Sequence, residues 1–322
     1  MAKNDKDKNS SRRNFLKSGL FIGAGALTTA GLFKAIANTN AEETGKKIRL
    51  LTQEGKIVEV EESVLNTIEQ NLTEKEIKVG IPGRKFVMVI DLAKCKNVRA
   101  CVEKCQQNHA LRPDQEFMKV LLMQDSEDSA PYWFPKPCYH CEQPPCVKVC
   151  PVDATFKRQD GIVLVDNERC IGCKFCVAGC PYSARIFQWK KVELSDDVAK
   201  MKSDPEKSIP ARTGTVSKCD FCPDLARIGK LPYCVRACPM GVLYFGDMNE
   251  DSVTNGDETI RFTDIIRDRA GYRHLEDLGT QPLVYYLPPV NRQFSVESGL
   301  EDHDDEIKAR YKNTPYIKKH EK

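Results

Sequence analysis

Apolar positions in this chain fall in short runs between polar stretches and Gly/Pro breaks, a pattern of short strands with little long helix. Ile48-Arg49-Leu50-Leu51 and Lys56-Ile57-Val58-Glu59-Val60 flank Glu54-Gly55 and predict a hairpin, and Glu61 to Gln70 has helical character. Gly80-Ile81-Pro82-Gly83 punctuates the chain before the strand Phe86-Val87-Met88-Val89-Ile90. Three further apolar segments each follow a Cys-Pro pair: Gly161 to Val165, Ala184 to Phe187 and Gly241 to Phe245. Loop, short helix, then strand is thus an internal repeat. Glu193 to Pro210 is a polar connector, and from Leu300 onward the tail is mostly charged, with no packed core expected of it.

Charge separates the N-terminus from the rest. The first 37 residues hold seven Lys or Arg against two Asp; without them the 49 basic residues fall to 42 and the 46 acidic to 44. No basic stripe with interleaved aromatics remains, which argues against nucleic-acid binding. Ser11-Arg12-Arg13-Asn14-Phe15-Leu16-Lys17 precedes a mild apolar stretch, Gly19 to Phe33, and Ala35-Ile36-Ala37 suits signal cleavage. The segment resembles a twin-arginine export signal. No later stretch approaches the ~18 apolar residues of a membrane span.

Fifteen cysteines supply the chemistry. They form four groups: Cys95, Cys101 and Cys105; Cys138, Cys141, Cys146 and Cys150; Cys170, Cys173, Cys176 and Cys180; Cys219, Cys222, Cys234 and Cys238. The third is a C-x2-C-x2-C-x3-C-P run, the bacterial ferredoxin spacing, in which the last cysteine ligates the other cluster. Two-residue gaps let successive thiolates converge on one iron–sulfur cube. Where the first group should carry another cysteine, position 98 is valine. Read alone, Cys219-x2-Cys222 with Cys234 also suits zinc, but zinc sites do not usually show the full run. An odd number of cysteines argues against a disulfide framework, and folding with metal before twin-arginine export would protect the thiols.

The chain resembles the four-cluster iron–sulfur subunits of periplasmic respiratory oxidoreductases: the polysulfide, tetrathionate, dimethyl sulfoxide and multihaem nitrite or sulfite reductase systems. The likeness rests on Cys138-Tyr139-His140-Cys141-Glu142-Gln143-Pro144-Pro145-Cys146, Cys170-Ile171-Gly172-Cys173, Lys218-Cys219-Asp220-Phe221-Cys222 and Phe245-Gly246-Asp247, within residues 84–248. It implies an α+β fold of two tandem bacterial-ferredoxin-like modules, with an N-terminal hairpin and a C-terminal extension. The expected division is 1–37 signal peptide, 38–84 N-terminal extension, 85–250 four-cluster domain, 251–322 extension and tail.

The resemblance also implies the ligand sets. Cys138, Cys141, Cys146 and Cys180 would hold one [4Fe-4S] cluster; Cys170, Cys173, Cys176 and Cys150 a second; Cys219, Cys222, Cys234 and Cys105 a third. Cys95, Cys101 and Cys238 remain, and Val98 cannot bind iron. Three thiolates favour [3Fe-4S]; a [4Fe-4S] completed by water, Asn97 or another side chain, and an empty site, are the alternatives. The implied partners are a multi-span, quinone-reactive membrane subunit, a catalytic subunit with molybdenum or several haems, and the twin-arginine export machinery. The implied location is periplasmic, peripheral on the outer face of the cytoplasmic membrane. A soluble polyferredoxin shuttle and a hydrogenase-associated subunit are the alternative functions.

Other residues attract less chemistry. His109 reads as a surface histidine or a neighbour of a bound group rather than a replacement ligand, and His140 as hydrogen-bonding near a cluster. His274, His303 and His320 make no metal set. Trp133, Tyr139, Phe175, Tyr182 and Trp189 read as packing that keeps water off the clusters. No phosphate loop, nucleophile–base pair or dinucleotide fingerprint is present, so substrate chemistry belongs to another subunit.

Overall fold

Six consecutive buried residues, Phe86–Asp91, form strand β3. Its first five residues are continuously apolar because both faces of the strand are covered. Phe86, Met88 and Ile90 point into one core and Val87 and Val89 into another. The computed structural model describes residues 47–51, 57–61, 73–126, 129–191, 206, 209 and 211–291. Before β3 come β1 (Lys47–Leu51) and β2 (Ile57–Glu61), paired antiparallel as the expected hairpin, and helix α1 (Glu74–Val79). A capping box starts α1: the Glu76 N–H donates to Thr73 Oγ1, and the Thr73 N–H donates to Glu76. The signal segment, residues 62–70 of the helix expected from Glu61 to Gln70, most of the 193–210 connector and the tail lie outside the described residues; Glu61 itself ends β2.

The remaining elements are short. In chain order they are α2 (Ala100–Asn108), β4 (Lys119–Met123), β5 (Tyr132–Lys136), α3 (Pro145–Lys148), β6 (Thr155–Lys157), β7 (Val163–Val165), α4 (Phe175–Ala178) and β8 (Ile186–Phe187). Then follow β9 (Val216–Ser217), α5 (Pro223–Arg227), α6 (Tyr233–Ala237), β10 (Leu243–Asp247), β11 (Ser252–Thr254), β12 (Thr259–Ile260), α7 (Phe262–Asp268) and β13 (Val284–Leu287). The longest described helix, α2, has nine residues, in line with the sequence pattern. β4–β5, β6–β7 and β8–β9 are two-stranded ribbons.

One sheet joins distant segments in the order β12-β11-β10-β3-β13, with β13 parallel to β3 and β10 antiparallel to it. The expected boundary at residue 250 falls inside this sheet, because residues 252–287 supply three of its strands. On one face Leu243, Phe245, Val284 and Tyr286 join β3 in a core that includes Cys101, Cys141 and Cys234. On the other, Tyr244, Tyr285 and Leu287 pack under Phe262 and Ile265 of α7. The first and fourth cysteine groups and part of the second therefore share the first face with the main core, while Cys146, Cys170 and Cys176 gather in a separate cluster with Val163 and Val216.

The Phe245-Gly246-Asp247 motif has structural causes here. A Cβ at Gly246 would lie 1.9 Å from the Ser252 carbonyl oxygen, so glycine lets β11 approach β10. Asp247 Oδ1 accepts from the Lys85 and Asn249 N–H groups at 3.0 and 2.8 Å, tying the strand end to the chain entering β3. Elsewhere Arg158, fully buried, donates to Asp160 Oδ2 and Glu206 Oε1, each at 2.5 Å. Asp160 Oδ2 also accepts the Ile81 N–H at 2.9 Å, so this ionic knot joins the β6–β7 turn to two remote segments.

Candidate cysteine-lined metal centres

Each cysteine group places its sulfurs from a short loop running into a helix of one or two turns. α2 packs on α6, and α3 packs on α4, so the first group meets the fourth and the second meets the third. Prolines 144 and 145 open α3, where fixed φ and a missing N–H cost nothing. In the third group Gly172 has φ +73°, and a Cβ there would lie 2.1 Å from the Gly214 carbonyl oxygen. Only glycine permits that turn, which brings Cys170 and Cys173 to one side.

Four sets of sulfurs result. Cys138, Cys141, Cys146 and Cys180 line one recess of ≈ 350 Å³ with His140, Tyr182 and Arg185. Cys150, Cys170, Cys173 and Cys176 line a second of ≈ 290 Å³ with Thr155 and Lys174. Cys105, Cys219, Cys222 and Cys234 converge in the interior, where burial followed by charges that include their own neighbours pushes Cys105, Cys222 and Cys234 well above the usual thiol range. Cys95, Cys101 and Cys238 line a recess of ≈ 350 Å³ whose wall includes Asn97, Val98 and Arg99. Val98 is 49% exposed, while Asn97 is buried.

The four sets form a connected order. Cys101 faces Cys105 and Cys234 electrostatically, Cys219 faces Cys138, and Cys146 faces Cys176. The three-cysteine set thus stands at one end and the Cys150/Cys170/Cys173/Cys176 set at the other.

The donor chemistry fits a soft, multi-atom group. None of the fifteen cysteines is in a disulfide. Burial, with Cys238 adding repulsion, pushes Cys95 and Cys101 up to about 12, and burial with Asp220 does the same to Cys219. Cys150 is the exception: burial opposes ionisation, but the N–H groups of Thr155, Val152 and Ala154 outweigh it and hold the thiol below its ordinary value. The thiols that burial raises are poor free nucleophiles; a bound cationic metal would deprotonate them and use their gathered charge. Cys180, the last cysteine of the third group, lines the recess of the second, the exchange that paired iron–sulfur clusters require and isolated zinc sites do not.

His109 is buried rather than on the surface, and it adjoins the sulfur of one cysteine group. Its Nε2 is 3.5 Å from Cys222 Sγ and its Nδ1 3.6 Å from Asp220 Oδ2; Asp220 Oδ1 accepts the Cys222 N–H at 2.8 Å. These three residues could gather round a metal, but Cys222 already belongs to the interior set. His140 is fully buried and accepts the Val163 N–H on Nδ1 at 3.0 Å. His274 packs in an aromatic group with Phe134, Tyr139 and Tyr286.

Trp133, Tyr139 and Tyr182 are buried packing, as expected. Phe175 and Trp189 are not: they are 59% and 66% exposed, and Ile171 beside them is 63% exposed. Lys174 Nζ sits 4.2 Å from the Trp189 ring centroid, a cation–π contact that holds the indole at the surface. Sequence reasoning missed Arg185, Lys218 and Asp220, all buried charges beside sulfurs. Lys218 Nζ donates to the Val163 carbonyl and, at 2.7 Å, to that of Cys219. Their proximity to the groups was visible in the strings; their burial was not. Among the described residues no helix is long and apolar enough to cross a membrane.

The family described as "4Fe-4S dicluster domain" matches residues 129–201 and 205–248. The chain is 32% identical over 300 residues to a selenate reductase subunit of Mesobacillus selenatarsenatis, covering 87% of this chain and 98% of that one. It is 35% identical over 244 residues to the iron-sulfur cluster-binding subunit of menaquinone reductase of Nitratidesulfovibrio vulgaris, covering 66% and 90%. With a tetrathionate reductase subunit of Salmonella typhimurium it shares 33% identity over 213 residues, covering 65% and 74%.

Proposed function

The chain belongs to the 4Fe-4S family of iron–sulfur electron-transfer subunits of reductase complexes, and on that footing we propose that it relays electrons between a quinone-reactive membrane subunit and a catalytic subunit carrying molybdenum or several haems. The observation that carries this reading is the connected order of four cysteine sets through one chain, each close enough to act electrostatically on the next. Cys138, Cys141, Cys146 and Cys180 hold one [4Fe-4S] cluster in this reading. Cys170, Cys173, Cys176 and Cys150 hold a second, and Cys219, Cys222, Cys234 and Cys105 a third. Cys95, Cys101 and Cys238 hold a [3Fe-4S] cluster, since Val98 offers no donor. When bound, such clusters supply one-electron redox couples. The chain's own residues fix the spacing of the sites, exclude water from the inner ones and set the charge around each.

Packing of α2 on α6 and of α3 on α4 supports two tandem ferredoxin-like modules. The exposed Ile171, Phe175 and Trp189 at one end of the order, and Val98 at the other, suit two partner contacts at the terminal sites. Export by the twin-arginine route to the periplasmic face of the membrane is supported by Ser11-Arg12-Arg13-Asn14-Phe15-Leu16-Lys17.

Isolation of the native protein from membranes in mild detergent tests the assignment. Co-purification with a multi-span subunit and a catalytic subunit, with iron and sulfide bound, is the expected result. A stable, free monomer lacking both partners would sink the subunit reading and favour a diffusing shuttle.

A further inference from the structure

We propose that Arg185 is a counter-charge shared by two sites, raising the reduction potentials of the groups held by Cys138/Cys141/Cys146/Cys180 and by Cys150/Cys170/Cys173/Cys176. The inference rests on the iron–sulfur reading above. Arg185 precedes β8 and is only 6% exposed. It lines the recess of the first set, and its Nη1 donates at 3.1 Å to Thr155 Oγ1, a wall residue of the second. Cys146 and Cys176, one cysteine from each set, both feel its positive charge, which draws each thiol toward ionisation against the effect of burial. Nη2 is buried with no hydrogen-bond partner in the protein.

Buried arginines ordinarily face carboxylates, because an uncompensated charge out of water costs several kcal/mol. Arg158 does so with Asp160 and Glu206, and Arg99 with Glu116. Among the described residues no carboxylate forms an ion pair with Arg185; the negative groups that face it are Cys146, Cys176 and Cys138. With no carboxylate to pair it and Nη2 unpartnered, its charge is left to be matched by what the surrounding cysteines hold. A fixed cation in a medium of low dielectric favours the more negative, reduced state of each adjacent group. The interior Cys105/Cys219/Cys222/Cys234 set has the opposite neighbour, the buried Asp220.

Redox titration followed by electron paramagnetic resonance, on the wild-type complex and on Arg185→Gln and Arg185→Lys, is the test. In Arg185→Gln two of the four couples should shift downward, their reduced-to-oxidised ratio at fixed ambient potential falling roughly tenfold, about 59 mV for a one-electron couple. Arg185→Lys should keep both within about threefold of wild type, and the other two couples should not move in either variant. If Arg185→Gln fails to load two sites while Arg185→Lys loads them at wild-type potentials, the same charge requirement is seen in assembly. Unmoved couples in a loaded Arg185→Gln, an equal shift in both variants, or loss of iron in both would each overturn the proposal. A wild-type protein without cluster signals would instead defeat the iron–sulfur reading itself.

Discussion

At Val98 a single side chain decides what kind of group the terminal site can hold. The residue lies on the wall of the recess with Cys95, Cys101 and Cys238, and its half-exposed position leaves room for a thiol. His109, the nearest-looking substitute in sequence, is held beside Cys222 and Asp220 instead. With three thiolates the oxidised protein should show a [3Fe-4S] resonance, and Val98→Cys should abolish it by completing a fourth corner. Persistence of that signal in Val98→Cys at full iron loading would place the open corner elsewhere. The same scale shows what residue type alone conceals: Arg185, Asp220 and Lys218 look like ordinary surface charges until their burial is seen.

Among the elements, the β6–β7 ribbon is held by charge rather than by length. Each of its strands has three residues, too few to be stable alone. Arg158 in the turn pairs with Asp160 and reaches Glu206, while Asp160 accepts the N–H groups of Ile81 and Ile162. Arg158→Met removes the cation and leaves the Asp160 carboxylate buried, at a cost of about 3–5 kcal/mol. The urea midpoint of the loaded protein should fall accordingly, with the slope unchanged; a midpoint at the wild-type value would mean that the ionic knot contributes nothing net. Helix α3 and helix α4, of four residues each, similarly depend on what they pack against.

Over the whole molecule, many of the cysteines are part of the core and not ornaments on it. Cys101, Cys141 and Cys234 belong to the same buried cluster as Met88, Ile90 and Tyr286. Binding of metal is then also folding free energy. Removal of iron under anaerobic, reducing conditions should abolish cooperative unfolding and open residues 138–187 to trypsin, while the loaded protein resists. Equal protease resistance with and without iron would show that the protein core is self-sufficient.

Much of this was legible from residue order, and the boundary between what was and was not has a cause. Ligand type and spacing are local properties: thiolates two residues apart share a loop, Gly172 permits the turn, and a valine at 98 cannot bind iron wherever it lies. The strand at Phe86–Ile90 and the hairpin near residue 48 were likewise written in their apolar runs. Tertiary structure alone decided that residues 252–287 complete the sheet on β3, that Phe175 and Trp189 face solvent, and which buried charge stands beside which sulfur. Burial and electrostatic environment are sums over groups far apart in the chain, so no single segment could have encoded them.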